Sequence, residues 1–541
     1  MKNNDFSVKG LLFDPIKGES FGAEILLSNG KIIDIVKDDN IVSPCILPGF
    51  IDSHVHIESS MLTPCNFSKA AVKHGTVAVV ADPHEIANVS GVRGVDFMID
   101  DSKKSKLKFY FGAPSCVPAS PFDECYEPFT PSVIQDLMMR DDIFFLGEMM
   151  NFPGVIYGNE NVRESINSAL SLNKPVDGHA PGITQSDLNS YVSAGISTDH
   201  ECFTLDEALE KINLGMKILI REGSAAKNFN ALHPLIAEYS SKLMFCTDDC
   251  HPDELIRGHI NAKVKQALSL GYDIFDVLKI ASVNPVLHYG LNVGLLQIGD
   301  PADFIIVDSL YDFNILNTYI NGVDVLLEAE NVSPSSYTSL DYVFPTSYDQ
   351  SSFIVKSITN KVKAIEVIND ELITNTIVVS NPGEVLNVNL DEDILKILVL
   401  SRYKENEMSV GLIKGFGLKQ GAIAASIAHD SHHIIVVGCD DQSISSCLDY
   451  IISNKGGICY FDGDNLLGLP LPIFGLMTDS SVEVAAVAYD KINSKVVNDG
   501  CKLKAPFMTM SFMSLSVIPH LKITPGGLFD VDKFNFTDLF V

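Results

Sequence analysis

"LPGFIDSHVHIESS", Leu47 to Ser60, decides how this chain is read. An apolar run ends in a Pro-Gly turn, and the short strand that follows carries His54 and His56 one residue apart, with a carboxylate at Glu58. Side chains two apart on a strand face the same side, so a His-x-His pair at a strand end can grip one cation together. Alone, such a pair is equally well a solvated strand face, and the surrounding chain has to decide.

Working outward, strand-like runs alternate with helix-like periods, the pattern of parallel βαβ units. Eight strand candidates stand in order: "GFIDSHV", "GTVAVVAD", "KLKFYFGA", "DIFFLGE", "KPVDGHA", "GISTDHE", "MKILIRE" and "KLMFCTDD". Eight such units in roughly 250 residues are the count and length of a (β/α)8 TIM barrel, expected over 49–292. Before it, "EILLSNGKIIDIV" is two alternating runs broken by Asn-Gly, a β-hairpin pattern. After it, "VGLLQIGDPADFIIVDSL" (Val293 to Leu310) has the same texture. Residues 1–48 and 293–347 are therefore expected to form one small β-sandwich flanking the barrel. A third, C-terminal α/β domain is expected over 348–541, behind an exposed crossover in the Ser-, Thr- and Tyr-rich "SPSSYTSLDYVFPTSYDQSS".

In a TIM barrel the chemistry sits at the C-terminal ends of the strands, and here those ends are one-sided. They carry His54 and His56, then Asp82 and His84, then Glu148, His179, His200, Glu222 and Asp248. Buried imidazoles and carboxylates need partners or a metal. Mixed imidazole and carboxylate donors without thiolates suit an open site for Zn, Mn or Fe(II). A carboxylate such as Glu148 has two oxygens with which to bridge two ions, and Asp248 is placed for general acid/base work.

Composition narrows the function classes. The 541 residues carry a formal net charge of -30 with no Lys/Arg cluster, which excludes a phosphate-backbone partner and favours a small neutral or cationic substrate. The opening "MKNNDFSVKG" lacks a signal-peptide core, and no stretch of about 18 apolar residues is available to span a bilayer, so a cytoplasmic protein is expected. Eleven cysteines without a CxxC read as reduced, mostly buried thiols.

"LPGFIDSHVHIESS" resembles the first-strand motif of the amidohydrolase superfamily, and "GDPADFIIVD" resembles the return strand of its small β-sandwich. "ADPHEIANVSG", "GEMMNFPGV", "DGHAPG", "STDHE", "TDDCHP" and, far downstream, "IAHDSHH" (Ile427 to His433) resemble the adenine deaminases of the bacterial type. The resemblance spans nearly the whole chain. It implies hydrolysis of adenine to hypoxanthine and ammonia, a step of purine salvage, by attack of hydroxide on C6 at a dinuclear Mn2+ or Fe2+ centre, with Zn2+ an alternative metal. It also implies a homodimer or larger assembly. By the resemblance, His54 and His56 hold the first ion with Asp248, His179 and His200 hold the second, and Glu148 bridges them where many dinuclear relatives use a carboxylated lysine.

Asp82, His84 and Glu85 are read as groups that protonate the ring or orient a ligand, against a capping network for the next helix. Glu222 is read as a substrate contact, against a rim salt bridge to Arg221. His429, Asp430, His432 and His433 are expected to form a polar lid over the barrel mouth that touches substrate, with a separate metal site as the rival. Two other functions fit the same barrel: a cyclic amidase or deaminase of another heterocycle, and a non-catalytic metal-binding protein. Glu148 in place of a lysine speaks against the first, and a general base at Asp248 against the second.

Overall fold

The computed structural model describes residues 5–224, 226–328, 342–369 and 371–541. Three antiparallel strands come first: β1 (Phe6–Asp14), β2 (Glu19–Ser28) and β3 (Lys31–Lys37). Asn29 and Gly30 turn β2 into β3 with φ of 50° and 78°, the left-handed pair that a two-residue hairpin requires. β4 (Cys45–Pro48) pairs with β1, and the late strand β14 (Phe304–Val307) pairs with β4 across some 250 intervening residues. With β15 (Ile315–Ile320) and β16 (Val323–Asp324) the order is β16-β15-β14-β4-β1-β2-β3. The sheet curls back on itself, because the Ile32 amide bonds Asp300 O just before β14. One face thus closes over Val8, Leu12, Ile25, Ile46 and Phe304, while the alternate residues Phe13, Leu47, Ile305 and Val307 pack in a second core.

Between these flanks run the barrel strands: β5 (Phe50–His56), β6 (Thr76–Ala81), β7 (Lys108–Ala113), β8 (Ile143–Met149), β9 (Val176–Gly178), β10 (Thr198–Asp199), β11 (Lys217–Arg221), β12 (Leu243–Cys246) and β13 (Asp248–Asp249). β5 to β9 pair in parallel, as do β10 to β12. The Ser197 amide bonds Val176 O at 3.0 Å where β9 meets β10. β12 and β13 are one strand broken only at Thr247, and β13 returns in parallel to β5, closing a ring of eight. All eight expected strands are present in the expected order. Ile218 and Ile220 of β11 pack with helix residues Ala208, Ile212 and Ile236, while Leu219 lies in the other core cluster. That alternation aims Arg221, two beyond Leu219, into the barrel.

β17 (Lys361–Val367), β18 (Thr374–Ser380), β19 (Ile394–Leu400), β20 (Met408–Lys414), β21 (Ala422–Ala425), β22 (Ile434–Gly438), β23 (Gly457–Phe461) and β24 (Leu466–Pro470) form a second sheet in the order β18-β17-β20-β19-β22-β21-β23-β24. The helix Asp441–Ser453 lays Ile444, Cys447, Leu448 and Ile451 against one face. This region is seated on the barrel. The Thr478 amide bonds Met61 O at 2.8 Å, and Asn66 Nδ2 donates to Ser480 O at 3.0 Å. Of the crossover expected before it, residues 333–341 lie outside the described residues. Tyr342, just beyond them, donates its hydroxyl to Lys455 O at 2.6 Å.

Candidate active site

The inward parity of β5 buries His54 and His56 at 1% and 3% exposure, their rings edge to face at 4.8 Å. His56 Nδ1 lies 3.0 Å from Asp82 O. A carbonyl only accepts, so Nδ1 carries the hydrogen and Nε2 presents a lone pair. That lone pair faces Glu148 Oε1 at 3.1 Å and Asp248 Oδ1 at 3.0 Å. His54 Nε2 lies 3.4 Å from the same Asp248 oxygen, and among the described residues neither of its buried ring nitrogens has a hydrogen-bond partner. Acceptors that converge in this way call for a cation at their centre. The spacing fits a metal, since two donors at about 2.1 Å from one ion stand about 3.0–3.4 Å apart.

Glu148 ends β8, and its second oxygen faces the other pair: Oε2 is 2.8 Å from His179 Nδ1 and 3.2 Å from His200 Nε2. One carboxylate therefore serves two histidine pairs, an oxygen to each, with the His54 and His200 rings stacked at 4.3 Å between them. Burial works against its ionisation, yet the imidazoles of His179 and His200 hold its carboxyl well below the usual range. Gly147 makes room for this. A Cβ there would lie 2.3 Å from Asp82 Oδ2, the atom that accepts the Glu148 amide at 2.9 Å.

Asp248 sits at the break between β12 and β13 with φ of 58°. The buried Asp52 holds that kink by accepting the Thr247 amide at 3.0 Å and its hydroxyl, and His259 Nε2 backs Asp52 at 2.9 Å. Asp248 thus turns Oδ1 to the histidines and Oδ2 to Arg221 at 2.7 Å. Burial opposes its charge, but Arg221 and the nearby imidazoles hold its carboxyl well below the ordinary value. Arg221 also pairs with both oxygens of Glu201, whose Oε1 lies 3.4 Å from His200 Nε2 and 3.6 Å from His179 Nδ1. A buried lysine ties the ends of β9 and β10 together: Lys211 Nζ pairs with Asp199 at 3.0 Å and donates to Ala180 O at 2.7 Å.

Asp82, His84 and Glu85 also reach the cluster. His84 places Nδ1 3.6 Å from Glu148 Oε1 and 3.7 Å from Asp82 Oδ2, and Nε2 3.5 Å from Glu85 Oε1. Burial and the neighbouring His56 would push its imidazole down, yet these carboxylates hold it well above its ordinary value. Glu58 accepts the Ile86 amide at 3.1 Å, and burial pushes its carboxyl up to about 7.

The polar stretch downstream divides. His429 and His432 do meet the barrel, where both grip Glu85, Nδ1 of His429 at 2.6 Å from Oε1 and Nε2 of His432 in contact with Oε2. Asp430 is buried, its Oδ2 without a hydrogen-bond partner among the described residues, within the field of His84 and Glu85. His433, expected at the substrate, faces away: its Nδ1 accepts the Arg402 amide at 3.3 Å and its Nε2 lies 3.8 Å from Glu124. Glu222 needs the same correction. Strand alternation turns it out of the barrel, where Oε1 accepts the Phe229 amide at 3.1 Å, and it makes no salt bridge to Arg221. Arg221 and Glu201 are the site residues that motif reading passes over, although the inward parity of β11 and the position of Glu201 directly after His200 point to both.

A parallel barrel whose mouth gathers paired histidines about a shared carboxylate is the architecture of the metal-dependent hydrolases. The profile of the amidohydrolase family matches residues 45–325, and the chain belongs to that family. A second profile, the adenine deaminase C-terminal domain, matches 368–535. The adenine deaminases of Methanosarcina mazei and Borreliella burgdorferi are 49% and 48% identical to this chain, each alignment covering 98% of it and 99% of theirs. That of Parabacteroides distasonis is 44% identical over 99% of this chain and 98% of its own. Within the amidohydrolases, the chain therefore belongs with the adenine deaminases.

Proposed function

We propose that this chain hydrolyses adenine to hypoxanthine and ammonia at a dinuclear metal centre at the barrel mouth. One observation carries the reading: Glu148 divides its two oxygens between His56, beside His54, and the pair His179 and His200, in a chain of the adenine deaminase family. His54, His56 and Asp248 would hold one ion and His179 and His200 the other, with Glu148 between them. The donor set suits Mn2+ or Fe2+, with Zn2+ the alternative. When bound, the ions supply Lewis acidity that makes water nucleophilic near neutral pH.

The remaining steps belong to the chain's own groups. Asp248, fixed by Arg221 through Oδ2, keeps Oδ1 at the cluster and orients the attacking water toward C6. As oxygen bonds to C6 the ring nitrogen N1 must gain a proton. His84, flanked by Asp82, Glu148 and Glu85, is held protonated for that transfer. Asp248 takes one proton of the attacking water and passes it to the exocyclic amine, the C6–N bond breaks and ammonia leaves, and as the C6 carbonyl forms the second proton of that water returns to the His84 imidazole. Glu85, gripped by His429 and His432, keeps His84 in place.

A small neutral substrate accords with the charge of -30. Among the described residues no helix is long and apolar enough to cross a membrane. We place the reaction in cytoplasmic purine salvage, carried out by a homo-oligomer. Loss of the adenine absorbance with matching ammonia release by the purified chain tests the reading; release from another heterocycle but not from adenine would overturn the substrate.

A further inference from the structure

The segment Ser401–Lys404, "SRYK", follows the end of β19 and has no part in the reaction above, yet Ser401, Tyr403 and Lys404 reach barrel residues while Arg402 turns to the histidine loop. Ser401 Oγ donates to Glu124 Oε2 at 2.7 Å, and Lys404 pairs with the other oxygen of the same carboxylate. Glu124 lies in the loop after β7, so these contacts moor the segment to the barrel. Arg402 is 1% exposed. Its Nε donates to His432 O at 2.7 Å, one terminal nitrogen to Ser426 O at 2.9 Å and the other to Phe474 O, while its amide bonds His433 Nδ1.

Among the described residues no carboxylate pairs with that guanidinium, and the ring of Phe344 lies 5.0 Å from it. Burying a cation on carbonyls alone is costly, and an apolar side chain of the same volume would pack there at less cost. What Arg402 secures is specific: two carbonyls of the stretch 426–433, those of Ser426 and His432, are tied to one rigid fork that also holds Phe474 O. Tyr403 supplies the second tie. Its hydroxyl lies 2.6 Å from Ser431 O and 3.1 Å from Asn88 O. Ser431 sits between His429 and His432, and Asn88 lies in the helix His84–Ser90 three residues beyond Glu85. A single hydroxyl therefore registers the histidine loop against the helix that it grips.

We propose that Arg402 and Tyr403 are positioning residues that seat the 429–433 loop against the helix His84–Ser90, so that His429 and His432 hold both oxygens of Glu85. The kinetic arm of its test rests on the adenine reading, and the structural arm does not.

The experiment uses the full chain and Tyr403→Phe, which keeps the ring and removes only the hydroxyl. We expect kcat for adenine to fall by about tenfold with KM within about twofold and metal content unchanged, as the loss of an outer partner does. Amide exchange should quicken in 84–90 and 426–433 and nowhere else. Placed on His432→Gln, the same substitution should cost nothing more, because both act through Glu85. Unchanged kcat, an equal loss in both backgrounds, or unchanged exchange would overturn the proposal. If the wild-type chain leaves adenine intact, the functional reading fails while the exchange comparison still decides this one.

Discussion

At the scale of single residues the site turns on which side-chain oxygen faces which neighbour. Glu148 has one oxygen toward each histidine pair, so Glu148→Gln puts an amide nitrogen, a donor, where the proposed ions would be held. It should lose more than about a hundredfold in kcat and lower the metal bound per chain, measured by elemental analysis beside the rate. Unchanged metal and rate would remove its bridging role. Arg221→Met tests the other carboxylates. Without the guanidinium, Glu201 and Asp248 keep only histidines as buried partners, and breaking such a cluster costs about 3–5 kcal/mol, read from denaturant midpoints; Arg221→Lys should recover part of that loss. The clustering of His54, His56, Glu148, His179, His200 and Asp248 was legible in the sequence because His-x-His spacing and strand ends are local facts. Arg221 and Glu201 were not, since a charged residue beside a motif reads as rim chemistry until the parity of its strand is fixed. Glu222 shows the converse error, where a residue at the right strand end faces the wrong way.

Elements were legible where pattern and turn chemistry agree. The Asn29-Gly30 hairpin and the eight barrel strands follow the alternation and order of the sequence. Less predictable are β10, only two residues long, and the break at Thr247, because both depend on side chains far away in the chain: Asp52 and His259 at the break, Lys211 and Asp199 beside β10. The loop that enters β22 shows what such distant contacts do to charge. Burial, with the Arg402 guanidinium beside it, pushes the His433 imidazole from 6.5 down to about 3. The folded value lies below the unfolded one, so between them the unfolded chain binds more protons. The contribution is whole above 6.5 and is lost as the pH falls toward 3. Stability of the wild type should therefore fall relative to His433→Gln on acidification across that window, by at most about 1.4 kcal/mol per pH unit. Parallel pH profiles of the two proteins would show that His433 does not titrate with folding.

On the scale of the whole molecule, the barrel and the C-terminal sheet share one active site. Its histidine and carboxylate cluster comes from the ends of β5, β8, β9, β10 and β13, whereas Glu85 takes its partners from the loop before β22. A chain ending at Tyr348 should therefore bind metal at the barrel yet lose turnover, checked by metal content and rate together; full activity in that truncation would separate the two halves. The sequence texture alone marks the C-terminal region as distinct, but not that its histidines grip a barrel carboxylate, because that contact joins residues more than 300 apart. The central claim is tested most directly by following ammonia release and the ultraviolet shift of adenine to hypoxanthine on protein loaded separately with Mn2+, Fe2+ and Zn2+, beside adenosine and a hydantoin. We predict turnover of adenine alone, fastest with Mn2+ or Fe2+. Metal-loaded protein that leaves adenine unchanged would contradict the account.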